Sequence, residues 1–421
     1  MNQIIIPPCK TRHTCTSTAN RWVYLVLMPE HLNMSLLQQE NLEVNIIFLL
    51  SVPPTKGGGM ENNMFDVIKC LFNNYMEDNI NELNNININI ELLKLLEYHR
   101  IDMVLVDKLL LPAYGDIKSN LLNKKKFIYK NNENYINAAK EINSVFKDNS
   151  IGFVLLKGCA LIMKYYQKTY HRSFNDVDFL IDEKDIGKVE EILREYGYVQ
   201  GEVIDGEIMQ AKRKDVIFQR INTHEIYHMV KFNDNNFEVN IDINFKFAWV
   251  EFGNSGDSLI NFNDVSKNVD IFSFENTSIP LLNTEYQFLH LCCHLYNEAV
   301  FFALDKQYVS GDDPKELSLF RLFDIYLVSR YEMDIEKIYL ISKDANCIHK
   351  IEYVLSLIKA VVGTCFIEKF IKYFNIGNEF PNYFYSARGN KIEWPLDLYH
   401  RLFDIDSKNK ALEDLAQQGY L

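Results

Sequence analysis

No apolar run in this 421-residue chain reaches the roughly 18–20 residues that a membrane-spanning helix needs. Trp22–Met28 and Val44–Val52 are apolar but short, and the first lacks the basic-then-apolar layout of a secretory leader. Cys-x-x-Cys pairs are also missing. The eight cysteines, at 9, 15, 70, 159, 292, 293, 347 and 365, follow no regular spacing, which in a chain of this size reads as reduced thiols in a cytoplasmic protein. Basic residues are outnumbered, 44 Lys and Arg against 57 Asp and Glu. The net charge of −13 argues against an extended nucleic-acid surface or an anionic-membrane footprint, while leaving room for a local basic groove. No internal repeat is present, and the one biased tract is the Asn-rich patch at 81–88.

What is present is ordinary globular composition, 48% hydrophobic and 24% charged, on a chain long enough for two or three domains. Residues 1–59 stand apart: they mix Cys, His, Pro and Thr without period and end in Pro53-Pro54-Thr55-Lys56-Gly57-Gly58-Gly59 before Met60. They read either as a disordered natural extension or as a non-native one, with translation starting at Met60 or Met64. The intact mass of the native protein decides between the two.

From residue 60 to 150 apolar residues recur at helical spacing, over Met64–Tyr75, Ile90–Leu111 and Tyr135–Lys147, with Pro112 and Gly115 breaking the run. Residues 151–280 read as an α+β unit. Strands are expected at Ile151–Leu156, Val177–Ile181, Val216–Ile221, Ile226–Phe232 and Phe237–Phe245, with helices at Ala160–Gln167 and Glu183–Tyr196. Asp234-Asn235-Asn236 predicts a hairpin turn, because Asn and Asp tolerate left-handed backbone angles. Residues 281–421 return to helices, at Thr284–Phe302, Pro314–Arg330, Ile335–Ser342, a long Ile348–Phe374 and Pro395–Leu415.

The chemistry concentrates in Ile151–Ile181, IGFVLLKGCALIMKYYQKTYHRSFNDVDFLI. Asp176 and Asp178 are two apart at a strand, so both carboxylates leave the same face. Like charges that close call for a neutraliser, commonly a divalent cation. A third carboxylate, Asp242, lies in Glu238-Val239-Asn240-Ile241-Asp242-Ile243, where the polar residues alternate with apolar ones. Three carboxylates on neighbouring strands suit Mg²⁺ (or Mn²⁺). Gly158 at a helix start would let backbone N–H groups approach phosphate, with Lys157 and Arg172 offsetting its charge.

The run VLLKGCALIMKYY…HRSFNDVDFLI resembles an uncharacterised nucleotidyltransferase family of the polymerase-beta-like superfamily. So do the strand Ile241-Asp242-Ile243-Asn244-Phe245, the lead-in LLKLLEYHRIDMVLVDKLL and the trailing FLHLCCHLYNE and LFRLFDIYLVSR, over roughly 85–335. The resemblance implies a nucleotidyltransferase-fold mixed sheet with helices, an NTP donor, ATP foremost, and an acceptor that is a small molecule, peptide, protein or RNA end. It implies Asp176, Asp178 and Asp242 as metal ligands and catalytic carboxylates. Lys157, Gly158, Cys159 and Arg172 are implied as nucleotide contacts, Cys159 standing where the superfamily usually has Ser and Asn244 where the family has His.

Two readings compete. One is a nucleotide-binding or scaffold module without catalysis. The other is a zinc hydrolase, because His224-Glu225-Ile226-Tyr227-His228 fits His-Glu-x-x-His, a motif that works only on a helix. Here the flanking residues predict a strand instead. His290 and His294 have metal-like spacing on a predicted helix but no evident co-ligands, so packing is the simpler expectation. Arg321 and Asp324, on the next helix, are expected either to form a structural ion pair or to reach the cleft.

Overall fold

Short buried runs of Val, Ile, Phe and Leu set the strands. In the computed structural model, which describes residues 61–77, 90–104, 115–247, 260–274, 277–300, 317–386 and 389–418, they gather into one sheet. Its members are β1 (Phe153–Leu155), β2 (Val177–Ile181), β3 (Val199–Ile204), β4 (Glu207–Gln210), β5 (Met229–Phe232), β6 (Glu238–Asn244), β7 (Val269–Phe274) and β8 (Thr277–Leu282). The spatial order is β4-β3-β5-β6-β2-β1-β8-β7. β2 runs parallel to β6 and β1 parallel to β8, while the other neighbours are antiparallel, so the sheet is mixed, as an α+β nucleotidyltransferase-like fold requires. The N-terminal extension read at 1–59 lies outside the described residues.

The helices before the sheet are α1 (Glu61–Glu77), α2 (Ile90–Tyr98) and α3 (Gly115–Asp148). Within the sheet region come α4 (Lys157–Lys164), α5 (Ile186–Glu195), α6 (Arg213–Asn222) and α7 (Phe262–Ser266). After it follow α8 (Thr284–Val300), α9 (Leu319–Ser329), α10 (Ile335–Asp344), α11 (Ile348–Val362), a small hairpin of β9 (Tyr383–Tyr385) and β10 (Lys391–Glu393), then α12 (Leu398–Phe403) and α13 (Ile405–Gln417). Among the described residues no helix is long and apolar enough to cross a membrane, and the described cysteines are free thiols.

One hydrophobic core runs through the sheet and through helices on both sides of it in sequence. It joins Ile68 and Phe72 of α1, Ile142 and Phe146 of α3, Phe179 of β2 and Phe288 of α8. Phe146, Phe153 and Phe179 meet edge to face with centroids 5.4–5.8 Å apart, which pins α3 against β1 and β2.

Several expectations need correction. Val216–Ile221 is helical, not a strand: it lies within α6, where no side chain is buried, and the places beside β3 belong to β4 and β5. Its branched residues mimic strand composition, but composition alone does not create a partner. The β3–β4 hairpin went unread although Asp205-Gly206 forms its turn, both residues having positive φ, 54° and 83°. β7 and β8 were likewise unread. Gly115 is the first residue of α3, and 105–114, just before it, lie outside the described residues. The long C-terminal helix stops at Val362 because Gly363 adopts φ 102°. The Asn-rich hairpin between β5 and β6 is as expected, Asn236 taking φ 56° and its N–H donating to the carbonyl of Asn233.

Candidate active site

β6 alternates as its sequence predicts. Val239, Ile241 and Ile243 enter the core, and Asn240, Asp242 and Asn244 take the opposite face. The parallel pairing of β2 and β6 sets Asp178 opposite Asp242, so those carboxylates emerge side by side. Asp176 sits one residue before β2, on the same alternation.

Two cations meet them. Lys157 opens α4 with φ 46°, a left-handed conformation that costs a non-glycine residue about 1–2 kcal/mol. Its Nζ donates to Asp178 Oδ1 at 2.7 Å, and Asn244 Nδ2 donates to the same oxygen at 3.3 Å. His228 Nδ1 donates to Asp242 Oδ1 at 2.7 Å. The charge of Asp242 raises His228 to about 10, so the imidazole is protonated at neutral pH. Burial would raise Asp242, but the charge and hydrogen bond of His228 outweigh it and hold that carboxyl below its ordinary value.

Acid crowding remains. Burial, then the charges of Asp178 and Asp242, push Asp176 up to about 7. Glu225 joins the group by an isolated bridge between its backbone and Asn244. Burial and then Asp242 raise it to about 7, and its Oε1 accepts from Gln219 Nε2 at 3.1 Å. Hard carboxylate oxygens without a thiolate fit Mg²⁺ or Mn²⁺, and two carboxyls raised by burial and by the charges of Asp178 and Asp242 are what a dication relieves. Among the described residues no three His, Cys, Asp or Glu side chains are drawn together tightly enough to enclose a metal ion; Lys157 and His228 hold the carboxylate oxygens instead.

The other expected contacts cluster at the start of α4. A Cβ on Gly158 would lie 2.7 Å from Arg172 Nη1 and 2.8 Å from Phe174 Cβ, so only glycine fits there. Gly158→Ala is expected to cost about 1–3 kcal/mol by overpacking, read as a lowered melting temperature, with an unchanged melt counting against the contact. Cys159 turns its side chain into the core, 1% exposed, where burial pushes its thiol up and keeps it neutral. Arg172 is committed to a buried pair with Asp324: Nε donates at 2.9 and 3.1 Å and Nη2 at 3.0 Å. The expected Arg321–Asp324 pair is therefore absent; Arg321 Nη2 instead donates to Glu298 Oε1 at 2.7 Å.

The His-Glu-x-x-His segment is not helical. Glu225 bridges to Asn244, His228 serves Asp242, and His224 is buried, driven well below its ordinary pKa by burial and by Lys157. No hydrolase-like zinc set forms from it. His290 is a packed helix histidine, as expected, its Nδ1 donating to the Phe247 carbonyl at 2.9 Å. Burial, then Lys157 and His294, with Arg321 also acting, lower it to about 3 from 6.5. The unfolded chain thus binds a proton that the folded chain refuses, so this residue's effect is nil above pH 6.5 and destabilising as pH falls from there towards 3. His290→Asn, which keeps the donor to Phe247, is expected to flatten the stability-versus-pH slope near pH 5 by about 1 kcal/mol per pH unit in urea denaturation. An unaltered slope would remove His290 from that balance.

The sequence offers Glu225 and His228 as a zinc motif or as sheet residues lining a cleft, and the structure bears out the second; it offers Asp324, but not as the partner of Arg172. None of these pairings carries a local signal, because each is made by tertiary packing.

No curated protein matches the chain. A family model described as uncharacterised nucleotidyltransferase matches residues 89–363. The match runs from the residue before α2 to the glycine that ends α11, beyond the region whose motifs carry the resemblance. It takes in the Lys157-Gly158 helix start, the paired aspartates of β2 and the Asp242 strand. With more than half of its length matched, this chain belongs to that uncharacterised nucleotidyltransferase family.

Proposed function

We propose that the protein moves a nucleoside monophosphate from a nucleoside triphosphate, ATP foremost, to an acceptor hydroxyl or similar group in the cytoplasm, with Mg²⁺ (or Mn²⁺) as its metal. The observation that carries this reading is the register of β2 on β6, which sets Asp178 beside Asp242 with Asp176 two residues upstream. Asp176, Asp178 and Asp242 are the residues that would hold the metal. When bound, the metal supplies positive charge for the phosphate oxygens.

The chain's own residues do the rest. The first N–H groups of α4, opened by Lys157 and Gly158, favour an anion through the helix dipole. Lys157 adds a cation at the same point. Asp242, kept ionised by His228, has Oδ2 available to take the acceptor's proton. The acceptor oxygen then bonds to the α-phosphorus, the bond from that phosphorus to the β-phosphate bridging oxygen breaks, and pyrophosphate leaves. Fixed charges and dipoles account for most of the rate.

The test is incubation with α-labelled NTPs and a cell lysate, following label and pyrophosphate. Label on a product together with released pyrophosphate supports transfer. A second reading, a nucleotide-binding or scaffold module without turnover, is favoured by the direct occupation of Asp178 and Asp242 by Lys157 and His228. Mg²⁺-dependent thermal stabilisation by ATP with no pyrophosphate would select it.

A further inference from the structure

We infer that Asp324, with Tyr166, is a positioning residue that aims Arg172 at the phosphate-binding end of α4. Asp324 lies on α9, 152 residues from Arg172, and is fully buried. It takes Nε and Nη2 of the guanidinium in a fork, the rigid geometry that distinguishes arginine from lysine. Tyr166, on the turn leaving α4, donates its hydroxyl to Asp324 Oδ1 at 2.7 Å. Asn132 of α3 fixes the backbone by donating to the Arg172 carbonyl at 2.7 Å, and the guanidinium carbon stands 5.5 Å from the Phe320 ring centroid.

All of these contacts leave one nitrogen over. Nη1 makes no hydrogen bond among the described residues and rests against Gly158, where a Cβ would lie 2.7 Å from it. The side chain is 5% exposed, so its conformers are few and the direction of Nη1 is determined by Asp324. That direction is the first turn of α4, where unsatisfied backbone N–H groups already favour an anion. A buried cation whose fork is held on two nitrogens and whose third faces a helix N-terminus is organised to receive a phosphate oxygen. The C-terminal helices thereby complete a site otherwise built from residues 151–280.

This inference rests on the nucleotidyl-transfer reading, and the experiment separates the two. Inorganic tripolyphosphate with Mg²⁺, which carries no base to be selected, is titrated calorimetrically into the full chain and into Asp324→Asn, Tyr166→Phe and Arg172→Lys. Asp324→Asn and Arg172→Lys are each expected to weaken binding about tenfold, and their combination no further than either alone, as two parts of one device should. Tyr166→Phe, close to it in volume, is expected to weaken binding about threefold while lowering the melting temperature less than Asp324→Asn does.

A merely structural role predicts lowered melting with wild-type affinity in the folded fraction. That outcome for Asp324→Asn, or for Tyr166→Phe if the asparagine variant does not fold, overturns the inference and leaves the transfer reading standing. A wild-type chain that binds neither tripolyphosphate nor any NTP overturns both.

Discussion

Asp176→Asn is expected to lower nucleotidyl transfer by about 10²–10³-fold and, in the same protein, to raise the melting temperature above that of the unaltered chain. Both effects come from one cause. The Asp176 carboxyl is pushed from 3.8 to about 7 by burial and by Asp178 and Asp242, so the fold without a bound cation resists its ionisation. The folded chain holds that proton more tightly than the unfolded one, and stability is lost as pH rises from 3.8 to about 7. Asparagine keeps the shape and removes the charge, so its gain is greatest above pH 7 and vanishes below pH 4. The Lys157–Asp178 pair is untouched by this change. Calorimetry with and without Mg²⁺, run beside a pyrophosphate assay, reads both halves: Mg²⁺ should stabilise the unaltered chain and have much less effect on the variant. Adding Asp178→Asn should abolish transfer, and turnover surviving in that double variant would refute the assignment of the carboxylates.

Removing either partner of the Arg172–Asp324 pair is expected to have the largest effect on stability. The side chains are 5% and 0% exposed, so Arg172→Ala or Asp324→Ala strands a full charge in the interior, at about 3–5 kcal/mol. Tyr166 loses its acceptor as well when Asp324 goes. Replacing both charges by apolar residues of similar volume, Arg172→Met with Asp324→Leu, should recover most of that loss, because desolvation of the pair itself offsets much of its attraction. Urea denaturation of Arg172→Met, Asp324→Leu and the two combined forms a double-mutant cycle. Additive losses would show that the two side chains are not coupled as their geometry requires. The apolar pair is also informative beyond stability, since it restores the fold without restoring the guanidinium beside Gly158.

Local pattern carried much of the strand unit that bears the aspartates into view. Val177–Ile181 is apolar and bounded by turn residues, the aspartate spacing matches strand alternation, and Asp234-Asn235-Asn236 makes the hairpin that its backbone preferences favour. Reading failed where composition and partner disagree. α6 contains Val216, Ile217, Phe218 and Ile221, good strand residues, yet no neighbouring strand claims them and they remain on a helix with Ile221 72% exposed. The Asp205-Gly206 turn, by contrast, was a legible signal between two weak, mostly polar strands whose apolar periodicity was too faint to draw attention.

The α+β class and the spacing of the three aspartates are legible along the chain, because they depend on periodicities of two or three to four residues within one segment, and the family is legible in its motifs. Tertiary structure alone decided which side chains neutralise them. Lys157 reaches Asp178 because β1 and β2 pair antiparallel and α4 starts beside them. His228 reaches Asp242 across the β5–β6 pairing, and Arg172 turns to Asp324 on α9. The first two contacts span 21 and 14 residues and follow from strand pairing, whereas Arg172 and Asp324 are 152 residues apart and meet only through packing of the whole core. The physical reason is range: backbone preference is a local property, whereas the charge a buried carboxylate meets is set by whatever elements the core brings to its face.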